Sequence, residues 1–298
     1  MSRCGLARTA TLLGALLATT THSHAEGVAV VTSRDLPAYQ QASQGLVAFM
    51  KERSPGTRLQ TVTGKPEGLV QALKSRGVSA IFAIGTEAAL AAKASGLPVV
   101  FVMAMDSAGL AGCAGVTLDL PVAEQFRVLR SVLPRAREVG VLYDPARTAD
   151  SVREAQNAAS ALGLRLHCAA VTSRSMLPRA TEKMKGVDVI WAPLDATVYG
   201  SQSARYVLQF ALRNRIPVMG FSPNLVEAGA LFAVYADYRD IGRQGGSLLL
   251  RVLAGESPGS IGAVRPSGVA IAVNLRAADT LGVAIPAAVS KRADIIYK

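Results

Sequence analysis

The chain has 298 residues, half of them hydrophobic and 18% charged, which excludes a disordered or low-complexity polypeptide and leaves room for two lobes with separate cores. Its formal net charge is +11, yet its basic residues are scattered. The densest groups, Arg135/Arg137 and Arg213/Arg215, lack aromatic interleaving, which argues against a nucleic-acid partner.

In chain order, residues 1–25 read as a secretory signal. Arg3 and Arg8 precede an apolar run at 9–20, and Ser23-His24-Ala25 is a small-x-small cleavage site. Cys4 lies before that run, so it is not placed as a lipid anchor. No later stretch approaches the ~18 apolar residues of a membrane span. The expectation is a soluble, exported protein. Its two remaining cysteines, Cys113 and Cys168, fall in different lobes and are expected unpaired.

The rest alternates between buried strands and helices. Strands are expected at 27–32, 58–62, 78–83, 99–103 and 114–117, with helices at 36–53, 66–75 and 88–95 between them. Thr86 is placed as the cap of the helix at 88–95. Leu118-Asp-Leu-Pro121 reads as a crossing into a second half. There, strands at 138–143, 164–171, 187–192, 216–219, 230–234 and 269–274 alternate with helices at 122–133, 151–162, 176–185, 198–213, 237–254 and 275–281, and a short helix ends at Glu227. Residues 255–267, rich in Gly, Ser and Pro, read as a further crossing.

One unit occurs twice. Val78-Ser-Ala-Ile-Phe-Ala83 and Val187-Asp-Val-Ile-Trp-Ala192 match closely, and each leads through a polar turn and a helix to a second strand, opened by Leu97-Pro-Val-Val100 and Ile216-Pro-Val-Met219. Strand–helix–strand units of this kind imply an α/β fold with two doubly wound, Rossmann-like lobes. Ligands bind such sheets at the carboxyl ends of the strands. The polar and aromatic residues there are the site candidates: Ser33, Gly85, Thr86, Glu87 and Asp106 from the first half, and Tyr143, Asp195, Thr197, Phe221 and Ser222 from the second. Asp237, on a return crossing, completes the set. Hydroxyls and amides at helix starts suit a carboxylate, Asp195 suits an ammonium, and Tyr143 or Phe221 can cover an apolar face. Each polar member could equally be a helix cap.

Enzyme signatures are missing. Gly220-Phe-Ser-Pro-Asn lacks the last glycine of a nucleophile elbow, Gly64-Lys65 is no phosphate loop, and no dinucleotide fingerprint follows the first strand. Beyond the signal only His167 remains, so no catalytic residue, metal site or cofactor is expected.

The segments Ile216-Pro-Val-Met-Gly-Phe-Ser222, Leu225-Val-Glu-Ala-Gly-Ala-Leu231, Tyr238-Arg-Asp-Ile-Gly-Arg-Gln244 and Val273-Asn-Leu-Arg-Ala-Ala278 resemble ABC-transporter substrate-binding proteins of the tryptophan/tyrosine-uptake-like group, with Val141-Leu-Tyr-Asp-Pro145 and Gly85-Thr-Glu-Ala-Ala89 in support. The resemblance implies a type I periplasmic binding fold, and with it the periplasm as the destination of export. It also implies a three-crossing hinge, a small polar or amino-acid-like ligand held in the cleft, and delivery of that ligand to an ABC permease by a monomeric receptor. A sensory or accessory protein of the same fold, signalling to a membrane partner, is the alternative. Lobe boundaries are expected at 26–118 plus 236–262 and at 119–235 plus 263–298. The family's usual Asp-Asn-Thr turn reads Asp195-Ala-Thr197 here, and Glu87 stands where a small residue or proline is common, so ligand identity does not carry over.

Overall fold

The computed structural model describes residues 27–32, 34–63, 77–104 and 108–298. The expected signal, the helix at 66–75 and the site candidates Ser33 and Asp106 lie outside the described residues.

The chain builds two mostly parallel sheets. In the first lobe, β1 (Gly27–Thr32), β2 (Arg58–Thr63), β3 (Val78–Ile84), β4 (Val99–Ala104), β5 (Ala114–Thr117) and β11 (Ala263–Val264) lie in the order β11-β5-β4-β3-β1-β2. In the second, β6 (Glu138–Tyr143), β7 (Arg165–Ala170), β8 (Val189–Trp191), β9 (Val218–Gly220), β10 (Phe232–Ala236), β12 (Val269–Asn274) and β13 (Ile295–Tyr297) lie in the order β13-β12-β10-β9-β8-β6-β7. The repeated segments β3 and β8 thus hold equivalent places beside the opening strands β1 and β6. Among the described residues, only β12 against β10 pairs antiparallel.

Strands in such sheets are covered on both faces, which is why they read as continuous apolar runs. Phe82 and Val102 pack on one face of the first sheet, Ile81 and Phe101 on the other. The cluster holding Phe82 continues into the second lobe through Phe126, Val189 and Trp191.

The helices fill the connections. In the first half these are α1 (Pro37–Arg53) and α2 (Thr86–Lys93). The second half supplies α3 (Val122–Val132), α4 (Pro145–Ala161), α5 (Leu177–Glu182), α6 (Ala196–Tyr199), α7 (Ser201–Arg213) and α8 (Pro223–Glu227). After β10 come α9 (Tyr238–Leu253), α10 (Pro258–Ile261), α11 (Leu275–Leu281) and α12 (Ala287–Arg292). Three segments join the lobes: β5 to α3, β10 to α9, and β11 to β12. The return helix α9 is seated on α1 at glycines, since a Cβ on Gly242 would lie 2.0 Å from the Ala42 carbonyl oxygen and one on Gly45 2.1 Å from that of Arg239.

Several boundaries differ from the sequence reading. The helix expected at 151–162 begins at Pro145, because the Asp144 side chain accepts from Ala146 N and proline suits the first helical position. The helix expected at 198–213 is two, broken at Gly200 and opened by an Asp195 cap. Ala263 and Val264, assigned to the second lobe, pair instead with Gly115 and Val116 of β5 in the first sheet. Cys113 is buried, Cys168 is exposed, and both are free.

Candidate functional site

The strand ends place most of the candidates, but in roles set by local hydrogen bonding. Gly85 has φ +93°, and a Cβ there would meet the Tyr39 hydroxyl oxygen at 2.3 Å, so only glycine fits this turn. Gly85, not Thr86, is therefore the residue preceding α2, and Thr86 is its first helical residue. Glu87 pairs with Arg34 at 2.7 Å, both side chains being more than half exposed, a geometry of small energetic weight.

In the second lobe the turns after β6 and β8 are locked together. Asp195 is 1% exposed. Its Oδ1 accepts from Thr197 N and Val198 N, and its Oδ2 accepts from Asp144 N at 2.7 Å and Thr148 Oγ1 at 2.8 Å. Thr197 Oγ1 donates back to Asp144 Oδ2 at 2.8 Å. A carboxylate has about four acceptor positions, and here four donors fill them. Expected as a partner for a cationic ligand group, the Asp195 side chain spends its acceptors inside the protein here, bracketing two turns from behind. Ser222 and Asp237 likewise cap α8 and α9, Asp237 Oδ1 accepting from Arg239 N and Asp240 N. Tyr143 is half-buried against the core.

A cavity of about 640 Å³ opens where the three crossings meet the carboxyl ends of the second sheet. Leu118 to Leu120, Tyr235, Ala236, Tyr238 and Val264–Arg265 contribute from the crossings and their approaches, and Arg147, Trp191, Phe221 and Ser222 from the second lobe. Of the expected residues, Phe221 and Ser222 line it. Gly85, Thr86, Glu87, Tyr143, Asp195, Thr197 and Asp237 do not. Trp191 and Arg265 went unselected, although each carried a signal: the former is the sole tryptophan and ends a strand, the latter stands in a crossing.

Two networks tie this cavity to the crossings. The Trp191 indole N–H donates to Gln125 Oε1 at 2.9 Å, and Gln125 Nε2 donates to the Leu120 carbonyl at 3.0 Å. Phe126 meets Trp191 edge-on at 5.3 Å between ring centroids. Arg265 reaches Glu154 of α4 through both terminal nitrogens, at 2.9 and 2.7 Å, and Asp119 of the first crossing at 3.2 Å. Burial pushes the Asp119 carboxyl up, against the pull of Arg265.

Chemically, the wall offers several aromatic side chains and one lightly committed cation. Burial pushes the Tyr238 hydroxyl up to about 12 and that of Tyr235 upward too, so both stay protonated at neutral pH. Arg147 is mostly exposed, and its closest acidic partner among the described residues is Asp144, at 3.9 Å. Rings can cover a flat apolar group, and a guanidinium suits a carboxylate. Among the described residues no cluster of three or more His, Cys, Asp or Glu could hold a metal, and no helix is long and apolar enough to cross a membrane.

A family model described as "ABC transporter substrate binding protein" matches residues 28–296. No curated protein matches. Among solved structures, a conserved domain protein from Vibrio cholerae O1 biovar El Tor is 27% identical, with TM-score 0.62, covering 91% of this chain and 99% of that one. A Streptococcus pneumonia ABC domain in complex with L-Trp is 22% identical, with TM-score 0.64 and coverage of 91% and 99%. A ligand-free, open substrate binding protein with adhesive properties from Clostridium difficile is 20% identical, with TM-score 0.73 and coverage of 92% and 99%. These neighbours share the type I periplasmic binding fold with this chain.

Proposed function

From the premise that the chain belongs to the ABC transporter substrate-binding protein family, we propose that it is the solute receptor of an import system, exported by the signal at 1–25. It captures a small amino-acid-like ligand by closure of its lobes and hands it, as a monomer, to an ABC permease. The observation that carries this reading is the 640 Å³ cavity at the meeting of all three crossings, because a ligand there touches the segments about which the lobes would turn. Arg147 takes the ligand carboxylate. Trp191, Phe221, Tyr235 and Tyr238 enclose its apolar part. The Asp144–Asp195 bracket holds the Arg147 turn in place. The lobes comprise residues 26–118 with 236–264, and 119–235 with 265–298.

Thermal melts of the mature protein against amino acids, nucleosides, sugars and small acids test the reading. A ligand at 100 times its Kd adds about 2.7 kcal/mol. An aromatic or other amino acid should stabilise the protein, and Arg147→Ala should weaken that ligand by about 2 kcal/mol, near thirtyfold in Kd, without lowering the unliganded Tm. A stabiliser lacking a carboxylate, or full affinity in the variant, would refute the role given to Arg147.

A further inference from the structure

The charges where the first and third crossings meet do not balance. Arg265 engages Glu154 through both terminal nitrogens, at 2.9 and 2.7 Å, and meets Asp119 Oδ2 through one of them at 3.2 Å. Two carboxylates thus share one guanidinium, which leaves the trio with an excess negative charge. Among the described residues, Arg265 is the one side-chain partner of the Asp119 carboxylate, so its Oδ1 accepts nothing. Burial pushes this carboxyl up, Arg265 pulls it down, and Glu154 pushes it up again. A further cation beside Asp119 would relieve both upward pushes. The side chain can receive one, being 36% exposed on the wall of the cavity at the crossings. Among the described residues one other acid lines that cavity, Asp150, and it is bound to Arg153 at 2.6 Å and almost fully exposed.

We propose that Asp119 is the seat of the ligand's ammonium group, which narrows the solute from small acids in general to zwitterions carrying a primary amine. The assignment rests on the receptor reading of this cavity, with Arg147 as the carboxylate's partner. Arg147 stands at the start of α4, the helix that also bears Glu154, so one wall has a cationic and an anionic end. An ammonium on Asp119 Oδ1 makes a charge-assisted hydrogen bond and supplies the cation that the trio lacks. A sugar or nucleoside brings no such charge. A dicarboxylate sets another anion against Asp119 and Glu154, and a plain carboxylic acid answers Arg147 alone.

Calorimetric titration of the full mature chain tests it. Each amino acid that stabilises the protein in melts is titrated beside its des-amino analogue, such as L-phenylalanine beside 3-phenylpropionate and L-tryptophan beside indole-3-propionate. The analogue should bind the wild-type protein about thirtyfold more weakly, a comparison that needs no variant. Asp119→Asn should weaken the amino acid by about the same factor and leave the analogue within about twofold, so that the two Kd values converge. A side chain that served only to hold Arg265 and set the lobe arrangement would weaken both ligands equally. If no amino acid binds, the amino-acid reading of the cavity falls and this assignment with it. If one binds but its des-amino analogue binds as tightly, or Asp119→Asn leaves the ratio of the two Kd values unchanged, the assignment falls alone and the receptor reading stands.

Discussion

Exchanging Asp195 for asparagine swaps one acceptor oxygen for a donor, so at least one pair among Asp144 N, Thr148 Oγ1, Thr197 N and Val198 N loses its partner inside the protein. We expect a stability loss of about 3 kcal/mol in urea unfolding, because donors left unmet in a buried network are expensive. A loss below about 1 kcal/mol would contradict the bracket. A surface acid behaves differently. Glu138 is held down at about 2 by hydrogen bonding to Arg165 and then to His167, whose Nε2 lies 2.6 Å away. Its folded value is below its ordinary 4.5, so its contribution is present above pH 4.5 and fades as pH falls toward 2. Glu138→Gln should therefore flatten the acid limb of Tm against pH in that window and leave Tm differences constant above it. A parallel acid limb in the variant would exclude the linkage.

At the scale of elements, α9 carries the chain back to the first lobe and meets α1 backbone to backbone. Gly242→Ala drives a methyl into the Ala42 carbonyl, and backbone on both sides leaves nothing flexible to yield. The expected cost is about 3 kcal/mol by denaturant unfolding, at the upper end for overpacking; a near-neutral variant would mean the helices slide apart freely. Much of this architecture was legible, since the repeats at 78–83 and 187–192 announced matching sheets, and they occupy matching places. Short elements such as β11 and α10 were not, because two to four residues carry no periodicity. The site was read only partly. Asp195, Thr197 and Ser222 have the residue types of both helix caps and ligand groups, and sequence alone offers no way to choose. Tyr235 and Arg265 reach the cavity through the course of the crossings, which local patterning does not encode.

For the whole molecule, the telling contact is Arg265. It sits in the third crossing, yet binds Asp119 in the first and Glu154 on α4. Each pair is partly exposed and adds no more than about 1 kcal/mol to folding. Its leverage lies elsewhere, because a tie between crossings biases one arrangement of the lobes over another. Arg265→Gln should shift the ligand Kd by about threefold to tenfold in calorimetric titration while moving stability by under about 1 kcal/mol. An unchanged Kd would mean the crossings move independently of this tie. The sole tryptophan stands on the same cavity wall, 1% exposed, in the core cluster that spans both lobes and bonded through Gln125 to the first crossing. Its emission is therefore an unmixed optical signal. Native intensity answers to what fills the cavity and to the pose of the first crossing, while the red shift on denaturation marks loss of the joint core, so occupancy and unfolding can be followed from a single unlabelled indole.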